Sequence, residues 1–325
     1  MNRPDMTDRG GPGAGLTETL YHVMWRTNQL CNYKCVYCFR EGVDEVRWQE
    51  HADCGRYSPA HISSCFNNTG KRWRIHMTGG EPFLYPRFVE LASLLADKHQ
   101  LSINTNLSTD NVNDFASRVP VHGVYVINAT AHIQEQEKRG AGLRRFIERA
   151  GFLQDKGFRI RVMYIAYPPL LGRMTADMKM LVAAGITECA VKVFRGWLDG
   201  RLYPGAYTPE QKVLIQSHAP SLKEQAILDG HNSFRGRRCM AGHRAFNMDI
   251  AGNLTRCCTI PTKHGNLFQQ DCRFDDAPGL CPARECNCPY QGLKFAEKRR
   301  RLLDTIALLT GFGGFRLPLF LRQKR

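Results

Sequence analysis

Cys31, Cys35 and Cys38, in the run CNYKCVYCF, place three thiols on one short stretch with three and then two residues between them. Three thiolates so spaced can hold an iron-sulfur cluster and leave one iron open to a substrate-like ligand, whereas a closed electron-transfer cluster takes four. Thiols at these gaps also bind zinc or pack in a core. Downstream comes Thr78-Gly79-Gly80-Glu81-Pro82, where a glycine pair either turns the chain or lets the backbone approach a ligand closely. A second cysteine group follows: Cys239-x2-Gly242, Gly252-x4-Cys257, then Cys272, Cys281, Cys286 and Cys288.

The first two motifs together resemble the radical S-adenosylmethionine (radical SAM) superfamily, with its C-x3-C-x2-C run, an aromatic before the last cysteine (Tyr37), and a Gly-Gly-Glu-Pro motif one βαβ unit later. The resemblance covers roughly the first two thirds of the chain. It implies a partial (β/α)6 barrel and a 4Fe-4S cluster on Cys31, Cys35 and Cys38. It further implies that bound S-adenosylmethionine (AdoMet) is cleaved reductively to a 5'-deoxyadenosyl radical that abstracts hydrogen from a substrate. By the same resemblance Gly79, Gly80 and Glu81 border the methionyl group and Tyr37 the adenine, while Asn106 and Asn128, read as following the third and fourth strands, contact ribose and carboxylate. His132 is read as an acid or base or, preferentially, a surface residue, and Arg195 as a clamp for a carboxylate or phosphate or as a salt-bridge partner.

The second cysteine group resembles the auxiliary-cluster region of enzymes with a SPASM or shorter twitch domain. Its segment AFNMDIAGNLTRC reads as two short strands joined at Ala251-Gly252. The downstream half is shorter than a full SPASM pattern. This implies one auxiliary 4Fe-4S cluster on Cys239, Cys257 and two later cysteines, with Cys286 and Cys288 preferred, Cys281 the competitor and zinc the alternative metal. Cys272 stands alone, and Cys54, Cys65, Cys189 and Cys258 read as packed thiols.

The elements that must carry these residues follow from hydrophobic pattern. Segments rich in β-branched and aromatic residues predict strands at Tyr21–Thr27, Trp73–Met77, Leu101–Thr105, Gly123–Ala129, Arg159–Ala166 and Glu188–Phe194. Helical spacing lies between them, clearest at Phe88, Leu91, Leu94 and Leu95 and at Phe146, Ala150 and Leu153. Such alternation predicts an α/β fold whose parallel strands are buried on both faces. In such a fold chemistry gathers at the C-terminal ends of the strands. The expected division is a disordered leader over 1–15, the barrel over 16–230, a small cysteine-rich auxiliary domain over 231–295 and a basic and apolar tail over 296–325.

With 325 residues and 43% hydrophobic content the chain can build a sizeable core. Thirteen cysteines without a signal-peptide pattern at the N-terminus point to a reducing, cytoplasmic setting and to metal ligation. The net charge of +15 is scattered and lacks a nucleic-acid motif, which argues against nucleic acid and for an acidic flavodoxin or ferredoxin as electron donor. The tail EKRRRLLDTIALLTGFGGFRLPLFLRQKR is too interrupted to span a bilayer and fits either packing or a peripheral lipid contact. The reading is a radical SAM enzyme acting on a small molecule or sugar derivative. The alternatives are a maturase of a ribosomal peptide, a viperin-like single-cluster enzyme and a non-enzymatic iron-sulfur protein.

Overall fold

The computed structural model describes residues 20–38, 54–230 and 233–286. Six strands, β1 (Tyr21–Asn28), β2 (Trp73–Gly79), β3 (Gln100–Thr105), β4 (Val124–Thr130), β5 (Ile160–Ala166) and β6 (Cys189–Val193), lie side by side in chain order, every adjacent pair parallel. Between them run the helices α1 (Pro59–Asn68), α2 (Phe88–Ala96), α3 (Val112–Arg118), α4 (Ile133–Glu137), α5 (Gly142–Asp155) and α6 (Leu171–Ala183). The result is a mixed α/β fold on a central parallel sheet. After β6 come a small ribbon, β7 (Gly196–Leu198) and β8 (Arg201–Tyr203), and the helices α7 (Pro209–Ser217) and α8 (Leu222–Leu228).

Local chemistry sets the helix starts. Ser58 accepts a hydrogen bond from the His61 N–H ahead of Pro59, and Thr208 with Gln211 closes a reciprocal capping box at α7. The helical stripe at Phe88, Leu91 and Leu95 is buried as expected, but Leu94 is exposed because it falls off that stripe.

The expectation of two buried sheet faces needs correction. One face, with Trp25, Ile75, Ile103, Ile127, Val162 and Val191, joins the helices in a single apolar core. The other is mixed and mostly half-buried, with polar residues predominating in register: Arg26 beside Thr78, Met24 beside His76 and Ser102, Asn104 beside Asn128 and Arg161, Ile165 beside Lys192. Period-two alternation, clearest in β2 and β5, marks a sheet whose two faces differ in burial.

The predicted hairpin forms from β10 (Ala245–Met248) and β11 (Asn253–Thr255), paired antiparallel. Gly252 has φ +89°, and a Cβ there would strike the Phe268 ring at 2.4 Å, so the turn requires glycine. The hairpin extends the main sheet: β10 runs parallel to β1, and β12 (Lys263–Asn266) follows β11 at the edge. Below it, β9 (Arg238–Cys239) pairs with β13 (Gly279–Leu280). Cys288, the leader over 1–15 and the tail over 296–325 lie outside the described residues.

Candidate functional site

The loop bearing Cys31, Cys35 and Cys38 leaves the C-terminal end of β1. Two backbone bonds tie it to the Gly-Gly-Glu segment ending β2: Gly80 N–H donates to Asn28 O at 2.9 Å and Glu81 N–H to Leu30 O at 2.6 Å. Gly79 has φ +145°, and a Cβ on it would stand 2.2 Å from the Asn28 carbonyl oxygen. The glycine at 79 is thus demanded by the approach of β1 itself, which accounts for its identity without a ligand.

Glu81 is buried, and its carboxylate accepts hydrogen bonds from Thr105 Oγ1 (2.6 Å), Asn106 N–H (2.7 Å) and Phe83 N–H (3.1 Å). Burial raises its carboxyl to about 7, and those donors oppose the rise. It works as a strut between the β2 and β3 ends. Asn106 is equally occupied: its Nδ2 donates to Asn32 Oδ1 at 3.0 Å and its Oδ1 accepts from Ser108. Asn128 departs from the expected position. It lies inside β4, in register with Asn104, and donates to Asn104 Oδ1 at 3.0 Å on the polar sheet face. The strand runs two residues past it, to Thr130, and alternation turns it to that face.

The turn after β4 and α4 grip the cysteine loop from the other side. Glu135, buried, accepts Lys34 N–H at 3.2 Å, Arg139 at 2.9 Å and Lys138 at 2.7 Å. Burial alone would raise its carboxyl; the three donors outweigh burial and hold it at about 2. Arg139 also donates to Asn32 O at 3.0 Å and lies 4.2 Å from the centroid of the Tyr33 ring, and Tyr33 OH donates to Gln136 Oε1 at 2.9 Å. Sequence reasoning missed Glu135, Gln136 and Arg139; the one local signal was the four-residue spacing of Glu135 and Arg139, which lets the two side chains pair.

His132 is not a surface residue. Its Nδ1 stands 3.2 Å from Cys35 Sγ and 3.0 Å from Tyr37 OH, and its ring stacks on Tyr37. A left-handed backbone, φ 39°, aims it there. Burial lowers its imidazole to about 4. Tyr37 is further flanked by Tyr167 at 5.0 Å between centroids, and burial raises its phenol. Cys31 is exposed, Cys38 half-buried and Cys35 buried. Burial pushes the Cys35 thiol up to about 12, and the charges of Glu135, Cys31 and Cys38 add to the effect, so the three cysteines stand within electrostatic reach of one another. An open cleft of about 510 Å³ runs beside the loop between Val36, Tyr167 and Pro169. Arg195 lies just past β6, and its charge acts on Lys192.

The second cysteine group forms its own small core. Cys239, Cys257, Cys281 and Cys286 are buried together with Phe234, Ala241, Ala245 and Ala283, and Met24 of β1 packs against them. Pairing of β9 with β13 brings Cys239 beside the strand that ends one residue before Cys281. Backbone N–H groups point at two of the sulfurs: Ala241 at Cys239 Sγ (3.4 Å) and Ile260 at Cys257 Sγ (3.2 Å). Among the described residues, the cysteines gathered with Cys239 and Cys257 are thus Cys281 and Cys286. Cys54, Cys65, Cys189 and Cys272 pack with the main core, whereas Cys258 is exposed, against the expectation that it is packed. Among the described residues no three His, Cys, Asp or Glu side chains already stand as a metal cage. Both groups nonetheless offer the all-thiol donor type that iron-sulfur clusters take, the second with amides already aimed at sulfur.

No protein-family model matches the chain, and no curated protein matches it in sequence. Among solved structures it is similar to SuiB of Streptococcus suis, with TM-score 0.54 and 13% identity over 79% of this chain and 66% of that one. It is also similar to anSMEcpe with bound AdoMet, with TM-score 0.52 and 13% identity over 78% of this chain and 80% of that one. SuiB has also been solved bound to S-adenosylmethionine and to the precursor peptide SuiA, and anSMEcpe with AdoMet and the Kp18Cys peptide. At such identity the likeness establishes a shared fold. The matched part spans just under two thirds of SuiB.

Proposed function

We propose that this chain is a radical SAM enzyme that acts on a peptide. The observation that carries the reading is the placement of the C-x3-C-x2-C loop at the C-terminal end of the first strand of a six-stranded parallel array. The loop is bolted there by the glycine-glutamate segment, in a fold shared with structures that hold AdoMet. The array would form the partial barrel that the sequence resemblance implies.

Cys31, Cys35 and Cys38 would hold a 4Fe-4S cluster with one iron left for AdoMet. When bound, that pair supplies a one-electron cleavage that yields a 5'-deoxyadenosyl radical. Loading requires Cys35 to give up its proton, because a buried thiol held at about 12 is neutral near neutrality, so cluster assembly releases protons. Glu135 and Arg139 fix the loop backbone and Gln136 the Tyr33 side chain, Glu81 fixes the adjoining strand ends, and Tyr37 with Tyr167 offers an aromatic wall beside the cysteine loop. Cys239, Cys257, Cys281 and Cys286 would hold the auxiliary cluster, shielded from water by Phe234 and alanines.

A peptide is preferred over a small molecule or sugar because two fold neighbours were solved with peptides. The test is anaerobic: protein reconstituted with iron and sulfide, reduced and given AdoMet, is expected to bind about eight irons and to release 5'-deoxyadenosine without substrate. Retention of zinc alone, with no 5'-deoxyadenosine, overturns the reading.

A further inference from the structure

Main-chain amides meet three of the cysteine sulfurs. Tyr33 N–H points at Cys31 Sγ at 3.4 Å, Ala241 N–H at Cys239 Sγ and Ile260 N–H at Cys257 Sγ. At Cys35 the neighbour is a side chain instead, with His132 Nδ1 standing 3.2 Å from Sγ.

The imidazole is held for that contact from several directions. Its ring stacks on Tyr37 with 12° between the planes and meets the Tyr33 ring edge-on at 79°. Its carbonyl accepts Glu135 N–H (2.9 Å) and Gln136 N–H (3.0 Å), so the residue that opens α4 is also the one that touches the thiol. Ala131 N–H donates to Met163 O at 3.0 Å and ties the same turn to the β5 strand. His132 takes this place with φ 39° and ψ 52°, a left-handed backbone that a side chain resists. Glycine would form the turn more easily but would bring no nitrogen to Cys35.

The chemistry of a single nitrogen narrows what the contact is. Nδ1 carries either a lone pair or a hydrogen, and it faces two groups, Cys35 Sγ at 3.2 Å and Tyr37 OH at 3.0 Å. A lone pair accepts from a thiol or a phenol. A thiolate bound to iron has no hydrogen to give, so beside it the favourable state of Nδ1 is N–H, donating to sulfur with the Tyr37 oxygen as a second acceptor. Metal loading thus selects the tautomer. A hydrogen donated to a ligand sulfur stabilises the more negative, reduced state of a cluster and raises its potential.

We infer that His132 is a positioning residue that donates its Nδ1 hydrogen to the Cys35 thiolate in the loaded protein and so sets the reduction potential of the site on Cys31, Cys35 and Cys38. The cluster is that of the proposed radical SAM reading, on which the inference rests; the contact between His132 and Cys35 stands without it.

The experiment uses full-length protein reconstituted anaerobically with iron and sulfide, then reduced, and follows the electron-spin signal that added AdoMet perturbs, which marks the open cluster. Before AdoMet is added, that signal is expected to carry a hyperfine coupling to a histidine nitrogen, identified by isotopic labelling of histidine alone, and to lose it in His132→Phe and His132→Asn. The potential should then separate the two variants. His132→Phe keeps a ring against Tyr37 but no donor, and is expected to shift the one-electron equilibrium about tenfold toward the oxidised state, about 59 mV lower. His132→Asn tolerates the left-handed backbone and carries an amide N–H near the place of Nδ1, so it should recover most of that shift. The signal of the second cysteine group should move in neither. Absence of the histidine coupling in the unsubstituted protein overturns the inference even if neither variant folds. So does an unchanged potential in His132→Phe, or an equal drop in both variants, which would make the residue a packing element only. If no AdoMet-responsive signal forms, the radical SAM reading fails and the inference with it. A responsive signal with 5'-deoxyadenosine but without the histidine coupling leaves that reading standing and removes His132 from it.

Discussion

The two cysteine groups are built on opposite principles. The first sits on a loop pinned by charged and polar side chains from elsewhere, Glu135 and Arg139 on its backbone and Gln136 on Tyr33, and its first cysteine is exposed. In the second, Cys239, Cys257, Cys281 and Cys286 are buried in an apolar pocket, and backbone amides point at two of the sulfurs. A pinned but open loop suits a site that must admit a ligand. A closed apolar pocket suits a site that exchanges electrons or holds structure, because the shell around a cluster sets its access to solvent and its potential. The difference teaches that thiol number alone says less about role than what surrounds the sulfurs.

Removing the donors separates the groups most sharply. The triple replacement of Cys31, Cys35 and Cys38 by alanine should reduce 5'-deoxyadenosine formation to background, and survival of that activity would place the open cluster elsewhere. Cys239→Ala with Cys257→Ala should instead lose about half the iron while keeping cleavage without substrate, and Cys281→Ala should match the effect of Cys239→Ala on iron content. If Cys288→Ala rather than Cys281→Ala costs iron, the grouping of buried thiols misassigns the fourth ligand.

A subtler test loosens the pinned loop without touching a thiol. Glu135→Gln keeps shape but weakens the bonds to Lys138, Arg139 and the Lys34 N–H; AdoMet cleavage should fall roughly tenfold, because misplacing a reacting group is costly, while iron in the second site stays constant. Unchanged kcat/KM for AdoMet would show that the loop is held without it.

The smallest effect concerns the sheet face between the two groups. His22 and His76 stack with 3.2 Å between Nδ1 and Nε2; burial lowers them to about 4 and about 3 respectively, with the charge of Arg74 adding to burial for His22 and those of His22 and Arg74 for His76. Because their folded values are depressed, the unfolded chain binds more protons below the ordinary value of about 6.5; stability is full above that pH and declines as pH falls toward about 4. Urea midpoints of the cluster-free protein should therefore drop between roughly pH 7 and pH 5, and His76→Gln should flatten the slope. An equally steep slope in that variant would assign the acid sensitivity to other groups.

Most of the framework was legible in the chain. The six strands predicted from β-branched and aromatic runs form within a residue or two of their expected ends, and the helical stripes at Phe88 and Phe146 are buried, because both patterns are local and periods of two and 3.6 are written directly in sequence. The cysteine spacing was legible for the same reason, since ligands on one loop need no folding to become neighbours. The polar face was written in the alternation too, but a count of apolar residues hid it.

What only tertiary structure decided involves residues distant in sequence. His132 meets Cys35, and Glu135 meets Lys34, about a hundred positions apart along the chain. The joining of Cys281 and Cys286 to Cys239 and Cys257 depends on β9 pairing with β13 across some forty residues, and the glycine at 79 is explained by the carbonyl of Asn28 on the neighbouring strand. Hydrophobic period fixes which face of an element is buried but not which element covers it; strand order and loop closure choose the partners, and with them the company each thiol keeps.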